Sequence, residues 1–186
     1  MMRNFHWKKR NVSYIITIFL ALYLFFRRKT YEHEETLLLE KIKPVDVWEY
    51  VADFSNMKDL NPTIISFNII DESGNYDHWK YSVEYSEHLS HWPYLENHAI
   101  GHYDIKGNHQ NDVYFINSAH ITCLFGNYFC LNSKSSFKIS NSRNGSMCQE
   151  LIEYQCPAIL NQFCFKEVDF QRKAIMKNLK LHFYKK

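Results

Sequence analysis

Residues 43–62, KPVDVWEYVADFSNMKDLNP, decide the fold. Pro44 stands where a first helical turn tolerates it, because that turn's N–H has no intrahelical acceptor. Asp46 sits at the positive end of the same helix. Val47, Trp48 and Val51 then fall on one face. Asp53-Phe54-Ser55-Asn56 breaks the helical period, and a second short helix is expected over Ser55–Leu60, ended by Asn61-Pro62. The pattern predicts two short helices with Trp48 and Phe54 turned inward.

What lies on either side settles how that pair is used. LLLEKI, residues 37–42, reads as a first strand. Downstream the period changes to two. In WKYSVEY, Trp79, Tyr81, Val83 and Tyr85 share one face, while Lys80, Ser82, Glu84 and Ser86 share the other. Turn signals at Ser73-Gly74-Asn75, Gly107-Asn108 and Asn144-Gly145 divide the next stretch into about six antiparallel strands. From Ala158 to Phe183 the helical period returns, with Leu160, Phe163, Val168, Ile175 and Leu179 recurring on one side. Such a helix is about 39 Å long. The reading places Arg172 among the residues lying mostly off that apolar side. The order is strand, helix pair, antiparallel meander, long helix, which is an α+β arrangement.

Composition narrows the function classes. The 186 residues include 14 Phe, 13 Tyr and 4 Trp but only 5 Gly and 4 Pro, so a packed domain is expected. Seven basic residues and no acid precede residue 30. The remainder therefore carries 15 basic against 20 acidic residues, a poor match to a phosphate backbone, and no nucleic acid is expected. The cysteines are odd in number and form no C-x-x-C pair, which favours free thiols in a reducing compartment.

VSYIITIFLALYLFF, residues 12–26, is uncharged and flanked by KKR and RRK. Small residues expected at a signal-peptide cleavage site are missing after it, and a buried core helix would not be apolar on every side. Residues 1–29 are therefore expected to form a single-pass membrane anchor, residues 30–36 a polar linker, and residues 37–183 a domain on the cytosolic side. The apolar segment is short for a crossing, at about 22 Å against a hydrocarbon core of about 30 Å.

The opening stretch, with SVEYSE, CQELIEYQCP and FQRKAIMKNLK further on, resembles the START-like or helix-grip superfamily over residues 37–183. That superfamily includes lipid-transfer, pollen-allergen-like, polyketide cyclase/dehydrase-like and coenzyme Q-binding proteins. The resemblance implies a curved antiparallel sheet wrapped around the C-terminal helix. It also implies a cavity between them that takes a hydrophobic ligand of the lipid, sterol or quinone class. Trp48 and Phe54 match structural landmarks of the helix pair. Pocket candidates are Trp79, Tyr81, Val83, Tyr85, Phe115, Phe163, Val168 and Ile175; ordinary core packing explains the aromatic stripe on the first strand of the meander equally well. The expected function is membrane-anchored binding or transfer of such a ligand, with a lipid bilayer as second partner. A cyclase- or hydrolase-type enzyme using the same cavity is one alternative. The other is a scaffold whose cavity is plugged by rings such as Phe115, Phe137 and Phe163.

No arrangement of chemical groups overrides this reading. His88, His91, His98 and His102 cluster in sequence, but on a strand His98 and His102 lie about 13 Å apart, too far to share an ion. No metal is expected. His120 and Cys123, and likewise Glu84 and Glu87, fall on opposite strand faces and cannot meet without a bulge. Phosphate-binding loops, nucleophile elbows and H-E-x-x-H are missing from the sequence. Catalysis and cofactors are accordingly not expected.

Overall fold

A computed structural model describes residues 3–124, 126 and 128–185. Helix α1 (Arg3–Phe26) leads into strand β1 (Arg28–Glu40). The clasp follows: α2 (Pro44–Ala52), a 3-10 turn (Phe54–Asn56) and α3 (Met57–Leu60). Strands β2 (Ile64–Gly74), β3 (His78–His88), β4 (Glu96–Asn108), β5 (Val113–Leu124), β6 (Phe129–Ser142) and β7 (Gly145–Pro157) form a meander. A second 3-10 turn (Ala158–Leu160) starts the long helix α4 (Asn161–Tyr184). All seven strands make one antiparallel sheet in the order β1-β7-β6-β5-β4-β3-β2, so the first and last strands are neighbours.

The clasp forms for the reasons its sequence suggests. Pro44 opens α2, and the break falls at Asp53, whose carboxylate accepts from the Ser55 N–H at 2.9 Å. The Asn56 amide donates to the Tyr50 carbonyl, folding the second turn against the first. Trp48 and Phe54 are each 2% exposed. Trp48 lies against Tyr114 of β5, with centroids 5.0 Å apart, and Phe54 against Phe67, Tyr85 and Tyr103. The core continues through Tyr81, Val83, Ile105, Ile116 and Ile139 on the sheet to Ile175 and Leu179 on α4. Asn178 of α4 donates to the Leu60 carbonyl at 2.9 Å and locks helix to clasp.

Two N-terminal expectations are corrected. Among the described residues no helix is long and apolar enough to cross a membrane, so the transmembrane helix and the single-pass localisation fail. The uncharged run of α1 falls well short of the hydrocarbon thickness. The second correction concerns residues 30–36. They are not a linker but part of β1, paired residue for residue with β7 from Arg28↔Pro157 to Glu40↔Gly145. Charged residues conceal this strand: Tyr31, His33, Glu35, Leu37 and Leu39 are the less exposed positions, and Glu32 and Glu34 are exposed.

The cysteines are also corrected. Cys123 is bonded to Cys130 across the β5–β6 hairpin, and Cys156 to Cys164 between β7 and α4. Cys148 alone is free, buried in the core. Disulfides persist in oxidising compartments, against the reducing compartment expected from the sequence. Each closes a short loop, and loop-closure entropy gives about 2.5 kcal/mol per bridge. The second bridge fixes the first turn of α4 over the sheet.

Candidate functional site

The site grows from a change of character along β3. Tyr81 and Val83 are packed in the core, while the same face two and four residues on presents Tyr85 and Glu87. There the sheet and α4 diverge and leave a cavity of about 190 Å³, continuous in its lining with a smaller one of about 60 Å³ beneath the clasp. Leu89, Leu124, Leu131, Ile152 and Phe163 give it apolar walls. Tyr85, Glu87, His120, Ser135, Gln171 and Arg172 line both parts.

Each polar group is held by a neighbouring element. Arg172 of α4 donates from Nη1 to Glu150 Oε1 on β7 at 2.7 Å, and the Ser135 hydroxyl on β6 donates to the same oxygen at 2.7 Å. Burial works against the arginine's charge, but Glu150 outweighs it and the guanidinium pKa lies above its ordinary value. Glu167 accepts from the Ser90 N–H, the Ser90 hydroxyl and Gln171, which ties the β3–β4 loop to α4. His120 shares hydrogen bonds with the Tyr85 hydroxyl at 3.0 Å and with Ser118 at 2.8 Å. Its ring lies against Gly101 of β4, where any Cβ would come within 2.8 Å of Nδ1. Burial, followed by the charge of Arg172, pushes the His120 pKa down to about 3, so the imidazole is neutral.

Glu87 is 7% exposed and accepts from the Thr63 hydroxyl at 3.3 Å. Burial raises its pKa to about 7, with Asn97 and Arg172 opposing the shift. Protons are therefore bound more tightly in the folded than in the unfolded chain, and stability falls as pH rises from about 4.5 through 7. The wild-type protein is expected to lose about 3 kcal/mol from this group over that window. Denaturation curves of Glu87→Gln between pH 4.5 and 8 should show the loss abolished; an unchanged slope would place the titration elsewhere.

Three buried polar atoms in this region have no hydrogen-bond partner among the described residues: Asn97 Oδ1, Glu150 Oε2 and Arg172 Nε. Their residues line the cavity or the pocket beside it. The arrangement thus combines apolar walls with unmet hydrogen-bonding capacity in its lining, which suits an amphipathic molecule.

The residues singled out from the sequence are divided among several places. Tyr85, Phe163 and Val168 line the larger cavity, and Tyr85 and Ile175 the smaller. Tyr81 and Val83 fill the core. Trp79 borders a shallow outer groove of about 430 Å³ beside Trp48 and Tyr76. Phe115 alternates with buried Tyr114 and Ile116 and so lies on the opposite face of the sheet. Phe137 is buried in the core. Phe137 borders the smaller cavity and Phe163 the larger, and none of Phe115, Phe137 and Phe163 closes the space. Of the residues that build the site, the sequence shows Glu87 and His120 only as members of pairs that cannot meet, Arg172 only as a residue off the apolar side of α4, and Glu150 not at all. Glu87 follows Tyr85 at a spacing of two, and Arg172 stands four after Val168 and three before Ile175, so period alone places both inward. His98 and His102 are exposed on β4, and Cys123 is in a disulfide.

No family model matches the chain, and no curated protein matches it in sequence. Solved structures match in shape. The human StarD13 lipid transfer and protein localization domain has 9% identity and a TM-score of 0.58, covering 81% of this chain and 76% of its own. A START superfamily protein from Mycobacterium smegmatis has 9% identity and a TM-score of 0.51, covering 81% and 94%. Ara h 8.0201 has 15% identity and a TM-score of 0.50, covering 82% and 98%. The chain has the START-like helix-grip fold.

Proposed function

We propose that this helix-grip domain binds a hydrophobic small molecule of the lipid, sterol or quinone class, without catalysis, between the sheet and α4. The observation that carries the reading is the cavity itself. Its walls are largely apolar, and the residues of three orphaned polar atoms line it or the smaller cavity beside it. A polar head meeting Asn97, Glu150 and Arg172 would satisfy them, while a ring or acyl segment lies against Leu131, Ile152 and Phe163. Ligand pockets commonly hold 300–1,000 Å³. About 190 Å³ accommodates only part of a long lipid, so the proposal favours a compact ligand or one whose tail extends out of the cavity.

The test is extraction of the purified full chain and mass spectrometry of the extract, followed by titration with fluorescent fatty-acid, sterol and quinone probes. One class is expected to bind saturably. Val168→Phe, which fills the space from α4, should weaken it at least tenfold with an unchanged circular dichroism spectrum. An empty extract together with no saturable probe would overturn the proposal.

A second reading, a cyclase-type enzyme, draws on Glu87. A carboxyl with a pKa of about 7 can exchange protons near neutrality. Against it, both His120 nitrogens are engaged and the low pKa makes this ring a weak base. Turnover of a bound ligand that is lost in Glu87→Gln would favour the enzyme.

A further inference from the structure

Away from the cavity, where β1 passes beneath α4, three metal-ligating side chains converge. His33 and Glu35 share a face of β1, two residues apart, and Asp169 descends from α4. One donor atom from each lies within 4.8 Å of the others. The His33 side chain is 10% exposed, and its Nε2 has no hydrogen-bond partner. That nitrogen points into the cluster, 3.5 Å from Glu35 Oε1 and 4.0 Å from Asp169 Oδ1. The Phe165 ring stands edge-on to the imidazole at 5.8 Å.

The separations exclude hydrogen bonds and suit a shared ion. Hydrogen bonds of this kind span about 2.7–3.2 Å, so both distances are too long for a protonated His33 to donate. Ligands bonded to zinc at about 2.0–2.2 Å in a tetrahedron stand about 3.4 Å apart. The His33–Glu35 distance already fits. The Asp169 oxygen lies about half an ångström beyond that spacing from His33 Nε2, and all three donor atoms lie within 4.8 Å of one another, so side-chain adjustment brings the set to the spacing of a bound ion. Imidazole with two carboxylates is a donor set suited to zinc and similar divalent transition ions.

We propose that His33, Glu35 and Asp169 bind a divalent transition-metal ion of the zinc type, with a fourth position left to water or another small ligand. The ion joins the edge strand β1 to α4. Lys173, whose Nζ lies 2.7 Å from Asp169 Oδ1, occupies part of the same electrostatic niche. It is 62% exposed and free to swing out when the ion enters. Lys173 therefore competes with the metal.

The test titrates the chelator-stripped full chain with Zn²⁺ by calorimetry and with Co²⁺ by visible absorption. One saturable site in the micromolar range or tighter is expected, with the ligand-field bands of tetrahedral Co²⁺. His33→Ala should weaken Zn²⁺ by about 100-fold and abolish those bands. Asp169→Asn, isosteric and at a partly exposed position, guards against a misfolded histidine variant and should also lose at least about tenfold. Lys173→Met should tighten binding severalfold. A His98→Ala/His102→Ala double variant should leave it unchanged. Failure of Zn²⁺ to saturate the protein, or a site that survives both His33→Ala and Asp169→Asn, would overturn the proposal.

Discussion

Arg172→Met lowers the stability of the domain by about 3–5 kcal/mol in chemical denaturation. The cause is the partner left behind rather than the bond lost. Glu150 is 4% exposed, and its Oε2 is already without a partner. Without the guanidinium, one serine hydroxyl is its only remaining hydrogen-bond donor among the described residues. A buried uncompensated charge is costly, whereas replacing both ions by apolar groups is often neutral. Arg172→Met/Glu150→Leu should therefore recover most of the loss. The single variant also removes a charge that holds the Glu87 pKa down, so Glu87 should titrate above 7 in it. A cost below about 1 kcal/mol would mean that water in the cavity solvates Glu150 as well as the arginine does.

Trp48→Ala is expected to cost about 3–5 kcal/mol, the range for emptying a buried aromatic site. The indole is enclosed by Tyr76, His109 and Tyr114, and its edge reaches within 3.2 Å of where a Cβ on Gly107 would stand. The neighbours come from two hairpins and cannot all close on the void. Trp48→Phe separates shape from polarity. The indole N–H is buried without a partner, so the phenyl ring loses contact area but also removes an unmet donor. Its cost should be well under half that of alanine. Thermal melts of the two variants decide the matter; equal costs would show that the N–H is solvated.

The clasp was legible because proline, a capping aspartate and an aromatic at helical spacing act locally. The meander was legible because period two survives wherever one face is buried. β1 was not legible over residues 28–36. There its inward positions are Tyr31, His33 and Glu35, and pairing with β7 rather than composition makes the strand. The cavity was legible only in part. Tyr81 and Tyr85 are equivalent by period, yet one lies where the layers touch and the other where they part. Distance along the strand from the crossing point of α4 decides that, and periodicity carries no information about it. The disulfides stayed hidden because a 7-residue and an 8-residue separation become bridges only once the β5–β6 hairpin and the start of α4 are in place.

The adjacency of the first and last strands also sets the order of events as the chain folds. Hairpins β2 through β7 form between sequence neighbours and close small loops. β1 has no such neighbour, because its only hydrogen-bonded strand partner begins at Gly145. It must be held unpaired until more than a hundred residues have been synthesised, and the entropy of closing that loop precedes any gain from the ladder. The charges that disguise β1 in the sequence, Glu32, Glu34, Glu35 and Glu40, thereby acquire a second role. They keep a thirteen-residue strand from pairing with other nascent chains while it waits.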